Sequence, residues 1–133
     1  PQNYKLAFNW YAKAAEQGFA RAQYNLALMY EQGLGVPQNY KIAFKWHTKA
    51  AEQGIARAQN DLGTMYEDGK GVPQDYIKAH MWYNISSSQS NNDKDRSNAY
   101  KNRERIKKNM TPELVAKSQE LASQCYAKKF KGC

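Results

Sequence analysis

Apolar and small residues recur along the first 36 positions at helical spacing. Tyr4, Ala7, Phe8, Tyr11, Ala14 and Ala15 mark one stripe, and Ala22, Leu26, Met29 and Tyr30 mark a second. Steps of three and four residues bring such side chains to one face of an α-helix. The pattern predicts helices over about 4–17 and 20–31, parted by Gly18, which can take the left-handed conformation that ends a helix. Gly33, Gly35 and Pro37 then stop the second helix and open a new segment.

That segment is the first one again. Residues 37–72 match residues 1–36 at 25 of 36 positions, and the decamer AAEQGFARAQ (14–23) returns as AAEQGIARAQ (50–59). A fixed period of this length marks stacked supersecondary units that bury a shared core. The expected fold is therefore an all-α solenoid of about three helix-turn-helix repeats, with the decamer as the hairpin turn. Its alanines Ala14, Ala15, Ala20 and Ala22 let paired backbones approach closely. The third unit (73–109) opens faithfully as PQDYIKAHMWYNI, replaces the turn with SSSQSNN (86–92), and continues as a longer basic helix over 93–109 with Ala99, Arg103, Ile106 and Met110 on one stripe. Residues 110–133 form a capping helix and tail, with Thr111 as N-cap, Pro112 at the first helical position, and Leu114, Val115, Leu121, Ala122 and Cys125 as the apolar face. All four segments read as one domain, and the start at Pro1 on a repeat boundary suggests the C-terminal part of a longer array.

The blocks A-x-x-W-Y-x-K-A-A-E-x-G (Ala7, Trp10, Tyr11, Lys13 to Glu16, Gly18), A-x-A-Q-x-x-L-x-x-M-Y (Ala20 to Tyr30) and G-x-G-V (Gly33 to Val36) resemble the Sel-one-like repeat, a relative of the tetratricopeptide repeat. His47 stands where the second copy should carry Tyr. The resemblance covers residues 1–85 strongly, and the tail over 110–133 is similar to the ends of bacterial members. It implies a right-handed superhelix that scaffolds protein–protein interaction, without a cofactor and in many bacterial members exported. In that architecture the first helix of each pair lines the concave groove. The positions there that change between units are Asn9, Lys45 and Met81; Tyr11, His47 and Tyr83; and Ala12, Thr48 and Asn84. These are the expected contacts for a protein or peptide partner, with neutral drift on a solvated helix as the alternative.

Composition adds two points. No run approaches the roughly 18–20 apolar residues of a membrane span. The net charge of +8 is uneven: residues 1–72 hold eight Lys+Arg against six Asp+Glu, and residues 73–133 hold twelve against six. Lys101, Arg105 and Lys108 share a helical face that could meet an anionic polymer, although Glu104 can pair with Lys101 and Lys108.

Catalytic and metal chemistry find little footing. Gly33-Leu-Gly35 and Gly69-Lys-Gly71 lack the further glycines or the Lys-Ser/Thr pair of a phosphate loop. His47 and His80 have no Asp, Glu, Cys or His neighbours at metal-ligand spacing, so neither metal nor cofactor is expected. Trp10, Trp46 and Trp82 keep the period and so suggest packing between units. No Ser-x-x-Lys, Gly-x-Ser-x-Gly or His-Glu-x-x-His is present. Some cysteine-rich relatives are associated with β-lactams, and this leaves an envelope enzyme acting on β-lactam or peptidoglycan-like substrates as the alternative function. Cys125 and Cys133 are eight residues apart, about 12 Å along a continuous helix and too far to bond. They can meet only if the chain turns back, as it does between Ala14 and Ala22. Cysteine-rich secreted members carry disulfides at this spacing, so the resemblance implies a Cys125–Cys133 bridge and a periplasmic or extracellular setting. Two free thiols in a reducing cytoplasm are the alternative.

Overall fold

The structure is a computed structural model and describes residues 3–133; the first two residues of the first unit lie outside the described residues. Among the described residues seven α-helices follow one another: α1 (Tyr4–Glu16), α2 (Ala20–Gln32), α3 (Tyr40–Glu52), α4 (Ala56–Asp68), α5 (Tyr76–Gln89), α6 (Asp93–Lys107) and α7 (Pro112–Ala127). The boundaries have local causes. Asn3, Asn39 and Asp75 cap the first helix of each pair, each side chain accepting from the backbone N–H three residues on. Thr111 caps α7 in the same way, with Pro112 entering the helix where its missing N–H costs nothing. Gly33 and Gly69 take left-handed conformations that close α2 and α4.

Each helix packs on its predecessor through α6, which builds the solenoid. The main core joins Ala50, Ala51, Ala58, Leu62, Met81, Trp82, Ile85, Ala122 and Cys125; a smaller one joins Ala15, Ala22 and Leu26. The turn alanines Ala15, Ala22, Ala50, Ala51 and Ala58 therefore lie inside, where larger side chains would force the helices apart, while Ala14, Ala20 and Ala56 are half-buried. The glutamines of the repeated decamer tie the units together. Gln53 Nε2 donates to the Gly18 carbonyl and to Gln23 Oε1, both at 2.9 Å, while buried Gln23 donates from Nε2 to the Ala15 carbonyl at 3.2 Å. One period on, Gln89 donates to Gly54 O (3.2 Å) and Gln59 Oε1 (2.6 Å), and Gln59 donates to Ala51 O at 3.1 Å.

The three tryptophans do not share one fate. Trp82 is 1% exposed in the main core, Trp46 lies partly buried against the Ala15–Ala22–Leu26 cluster of the preceding unit, and Trp10 is 70% exposed. The packing role read from the period holds where a preceding unit supplies the seat.

The last helix departs from the stack. α3 packs on α2 and α5 on α4, but α7 packs on α5, not on α6. It buries Ala122 and Cys125 against Met81 and Ile85, and Ser118 donates to or accepts from His80 Nδ1 at 2.7 Å. The tail then doubles back toward the second unit. Gly132 N donates to Glu52 Oε2 at 2.9 Å, Lys78 Nζ donates to the Cys133 carbonyl, and Phe130 packs into the main core.

Candidate functional site

The face of the first helices is open on α1 and α3 and covered on α5. Leu6, Asn9 and Lys13 of α1 are exposed, as are Lys45 and Lys49 of α3, with Ile42 half-buried beside them. The residues in register on α5 are Lys78, Met81 and Ile85, and α7 lies over them. Lysines at 45 and 49 thus become Met and Ile at 81 and 85 where a helix takes water's place. Lys45 Nζ and Lys49 Nζ stand over the Trp46 ring, 5.5 and 5.7 Å from its centroid. An aromatic surface rimmed by cations suits a segment carrying carboxylates and apolar side chains.

Several positions expected to line a groove do not reach solvent. His47 is enclosed between α2 and α4, Met81 lies under α7, and Tyr83 is sealed in a cluster with Ala79 and Ile106, so none of the three can touch a partner. Thr48 Oγ1 donates to Phe44 O at 2.8 Å, and Asn84 Oδ1 accepts from Arg103 at 2.8 Å. Tyr11 and Ala12 are half-buried against the first core cluster. Asn9 and Lys45 are the expected contacts that stand free.

The basic face expected on α6 is partly consumed by the fold. Lys101 and Lys108 are exposed, but Arg105 clamps Glu67 of α4, with Nη2 at 2.9 Å from Oε1. The same carboxylate accepts from the Tyr83 hydroxyl at 2.7 Å, and the Arg105 and Tyr83 bonds hold it below the usual carboxylate range. Glu104 pairs with Arg103 and Lys107, not with Lys101 and Lys108. A guanidinium neutralised in this way offers little to a phosphate.

A polar cleft of about 340 Å³ runs between the second helices, lined by Tyr24, Arg57, Asp61, Lys94, Asp95 and others. Arg57 bridges to Asp95 across it at 3.1 Å. Beside it, behind Asp61, three helices bring together residues that no sequence spacing connects: Glu31 from α2, His47 from α3 and Asp61 from α4, with donor atoms within 4.8 Å of one another. His47 Nε2 lies 2.9 Å from Glu31 Oε1, while His47 Nδ1 is buried without a partner. Burial pushes the Asp61 carboxyl up to about 6, with Glu31 adding to the rise and His47 opposing it. The expectation that no metal-ligand cluster surrounds the histidines is corrected here, because the solenoid register supplies what linear spacing lacks. The signal lay in the departures from the period: His47 replaces the Tyr of the other units, and Asp61 replaces Asn25. His80 is different. Burial, followed by Arg103 and Lys107, lowers its pKa to about 4, so it stays neutral as a packing residue between α5 and α7.

Cys125 and Cys133 are bonded in the structure, their Cα atoms 5.6 Å apart. α7 ends at Ala127, and Lys129, Phe130 and Gly132 take positive φ to reverse the chain. Closing so short a loop is worth about 2.5 kcal/mol by loop entropy. Cys125→Ser together with Cys133→Ser is expected to lower stability by about that amount, with helix content kept. Urea unfolding with and without reductant checks it, since reductant should abolish the difference.

Stacked helical hairpins with an open, charged helix face define a repeat solenoid of the kind that engages other proteins. Sel1 repeats match over residues 1–19, 20–55 and 56–91, and the chain belongs to the Sel1 repeat family. Its repeat frame starts at the second helix, so that 20–55 spans α2 with α3 and 56–91 spans α4 with α5. Over 95% of its length the chain is similar, at 35% identity and a TM-score of 0.85, to a protective antigen present in uropathogenic Escherichia coli strains that displays an SLR fold. It spans only 26% of that protein. A Sel1 repeat protein from Oxalobacter formigenes matches at 38% identity and a TM-score of 0.65, over 67% of this chain and 68% of that one. No curated protein matches the chain. Sel1 repeat proteins are generally protein-interaction scaffolds, and the fold is typically non-catalytic.

Proposed function

We propose that this solenoid binds an acidic helical or extended segment of a partner protein along the open first-helix face of α1 and α3. One observation carries the reading: the chain already lays a helix, α7, on the same face of α5, where Met81 and Ile85 replace Lys45 and Lys49. The face is shaped to take a helix, and where it stays open it keeps its lysines and the Trp46 ring. A partner segment bearing Asp or Glu among apolar residues matches that chemistry. The basic side chains of α6 are a weaker candidate, because Arg105 is engaged by Glu67. The exposed Trp10 side of α1 matches the surface through which Trp46 meets its preceding unit, and a further unit of the same kind would fill it. The Cys125–Cys133 bond, together with the resemblance, supports a periplasmic or extracellular setting.

Reversing Lys45 and Lys49 together to Glu is expected to weaken partner binding about tenfold, since each exposed charge pair is worth under about 1 kcal/mol. The helix content should not change. Affinity capture with the wild type, with this variant and with Lys94→Glu from the second-helix cleft makes the comparison. Equal recovery by wild type and the double variant, or selective loss with Lys94→Glu, rejects the first-helix face.

A further inference from the structure

We propose that Glu31, His47 and Asp61 form a binding site for a divalent transition-metal ion of the zinc class. The donor set is one imidazole nitrogen and two carboxylates, carried on three successive helices. Such a mixed nitrogen and oxygen set suits Zn²⁺ and Co²⁺ better than Mg²⁺ or Ca²⁺, which favour oxygen alone. The donor atoms already lie within 4.8 Å of one another. A tetrahedral ion with bonds of about 2.0–2.2 Å holds its donors roughly 3.4 Å apart, so side-chain rotations of about an ångström close the site.

The burial of His47 points the same way. The ring is 0% exposed, its Nε2 edge is turned to Glu31, and its Nδ1 finds no partner. All the polar recognition this imidazole receives is at the cluster. The cleft that Asp61 lines with Tyr24 opens one of the three ligands to solvent.

The repeat supplies its own control. One period further on, Glu67 stands for Glu31 and Tyr83 for His47, and Arg105 delivers the positive charge that pairs the half-buried carboxylate. The residue one period before Arg105 is Gly69, which can deliver none. The same junction carries an additional carboxylate, Asp61, where the first unit has Asn25. Among the described residues neither Glu31 nor Asp61 forms an ion pair with a lysine or arginine, and Arg57 beside them is bridged to Asp95. Two carboxylates facing one imidazole, with no lysine or arginine paired to either, suit a divalent cation between them.

Zinc chloride titrated into the chelator-stripped chain, with the disulfide intact, is expected to show one ion per chain by calorimetry, and the cobalt(II) form to show a visible spectrum of a low-coordinate nitrogen and oxygen site. His47→Tyr installs the residue found at positions 11 and 83, and Asp61→Asn the residue found at position 25. Both are expected to keep helix content and to lose at least the 10–100-fold in affinity that even outer-shell partners are worth. Glu31→Gln, at a half-buried position of the cluster, is expected to lose as much and tests the site if either of the other variants fails to fold. No stoichiometric ion in the wild type near neutral pH overturns the site. Full affinity retained in folded His47→Tyr, or in Glu31→Gln, also overturns it and moves the ion elsewhere.

Discussion

Replacing Met81 and Ile85 together by lysine, the residue found in register at positions 45 and 49, is expected to unseat α7. Both side chains are essentially fully buried and belong to the core that α7 completes with Ala122 and Cys125. Burial of each is worth about 1.5–3 kcal/mol. Two ammonium groups in their place cannot stay under α7 without partners. The combined cost of about 5 kcal/mol falls on a terminal helix whose other anchors are the Gly132–Glu52 and Lys78–Cys133 contacts, the Ser118–His80 bond, the Tyr126 hydroxyl on Ile85 O and Ser88, and the packing of Leu121 and Phe130. Hydrogen exchange should show α7 amides losing protection while α1 to α4 keep theirs. If α7 stays protected in the double variant, its place on the first-helix face is held by something other than this apolar seat, and the parallel drawn with the open face of α3 fails.

Gly71→Ala is expected to cost about 3 kcal/mol. At φ +74° an L side chain is strained by roughly 1–2 kcal/mol. An added Cβ would also be driven into the Tyr40 carbonyl, backbone that cannot swing aside, and such overpacking adds about 1–3 kcal/mol. Gly132→Ala separates the two causes, because that residue has φ +66° but nothing near the added atom. It should lose only the strain. Chemical unfolding of the two variants decides: equal costs would mean that the close approach of the G-x-G-V loop to the start of α3 contributes nothing.

Much of the fold is readable from the chain because repetition multiplies weak local signals. The caps Asn3, Asn39 and Asp75, the helix-ending glycines and the buried turn alanines all recur at one spacing, and the helices fall within a residue or two of the pattern. The functional surface was harder to read for two physical reasons. Variation at Lys45 and Met81 looks the same in the sequence whether a foreign partner or the chain's own α7 covers the position. Only the three-dimensional path of α7, which leaves α6 for α5, tells them apart. Glu31, His47 and Asp61 stand 16 and 14 residues apart, spacings that belong to no single helix or loop. They converge only because α3 lies between α2 and α4 with its face set by the packing of both. The substitutions of Tyr by His47 and of Asn by Asp61 were visible, but their meeting point was not.

The amide relay from Gln53 to Gly18 and Gln23, repeated from Gln89 to Gly54 and Gln59, links each turn to the next through groups that carry no charge. These bonds between hairpins are ones that neither salt screening nor titration can loosen, unlike the Arg57–Asp95 and Arg105–Glu67 pairs that also join α4 to α6. A slip of the stack by one residue would strand the amides of Gln23 and Gln59 in the interior, at the full desolvation penalty. The register of the solenoid is in this sense gauged by its glutamines, and that part of the frame does not change when the ionic surroundings of the charged face do.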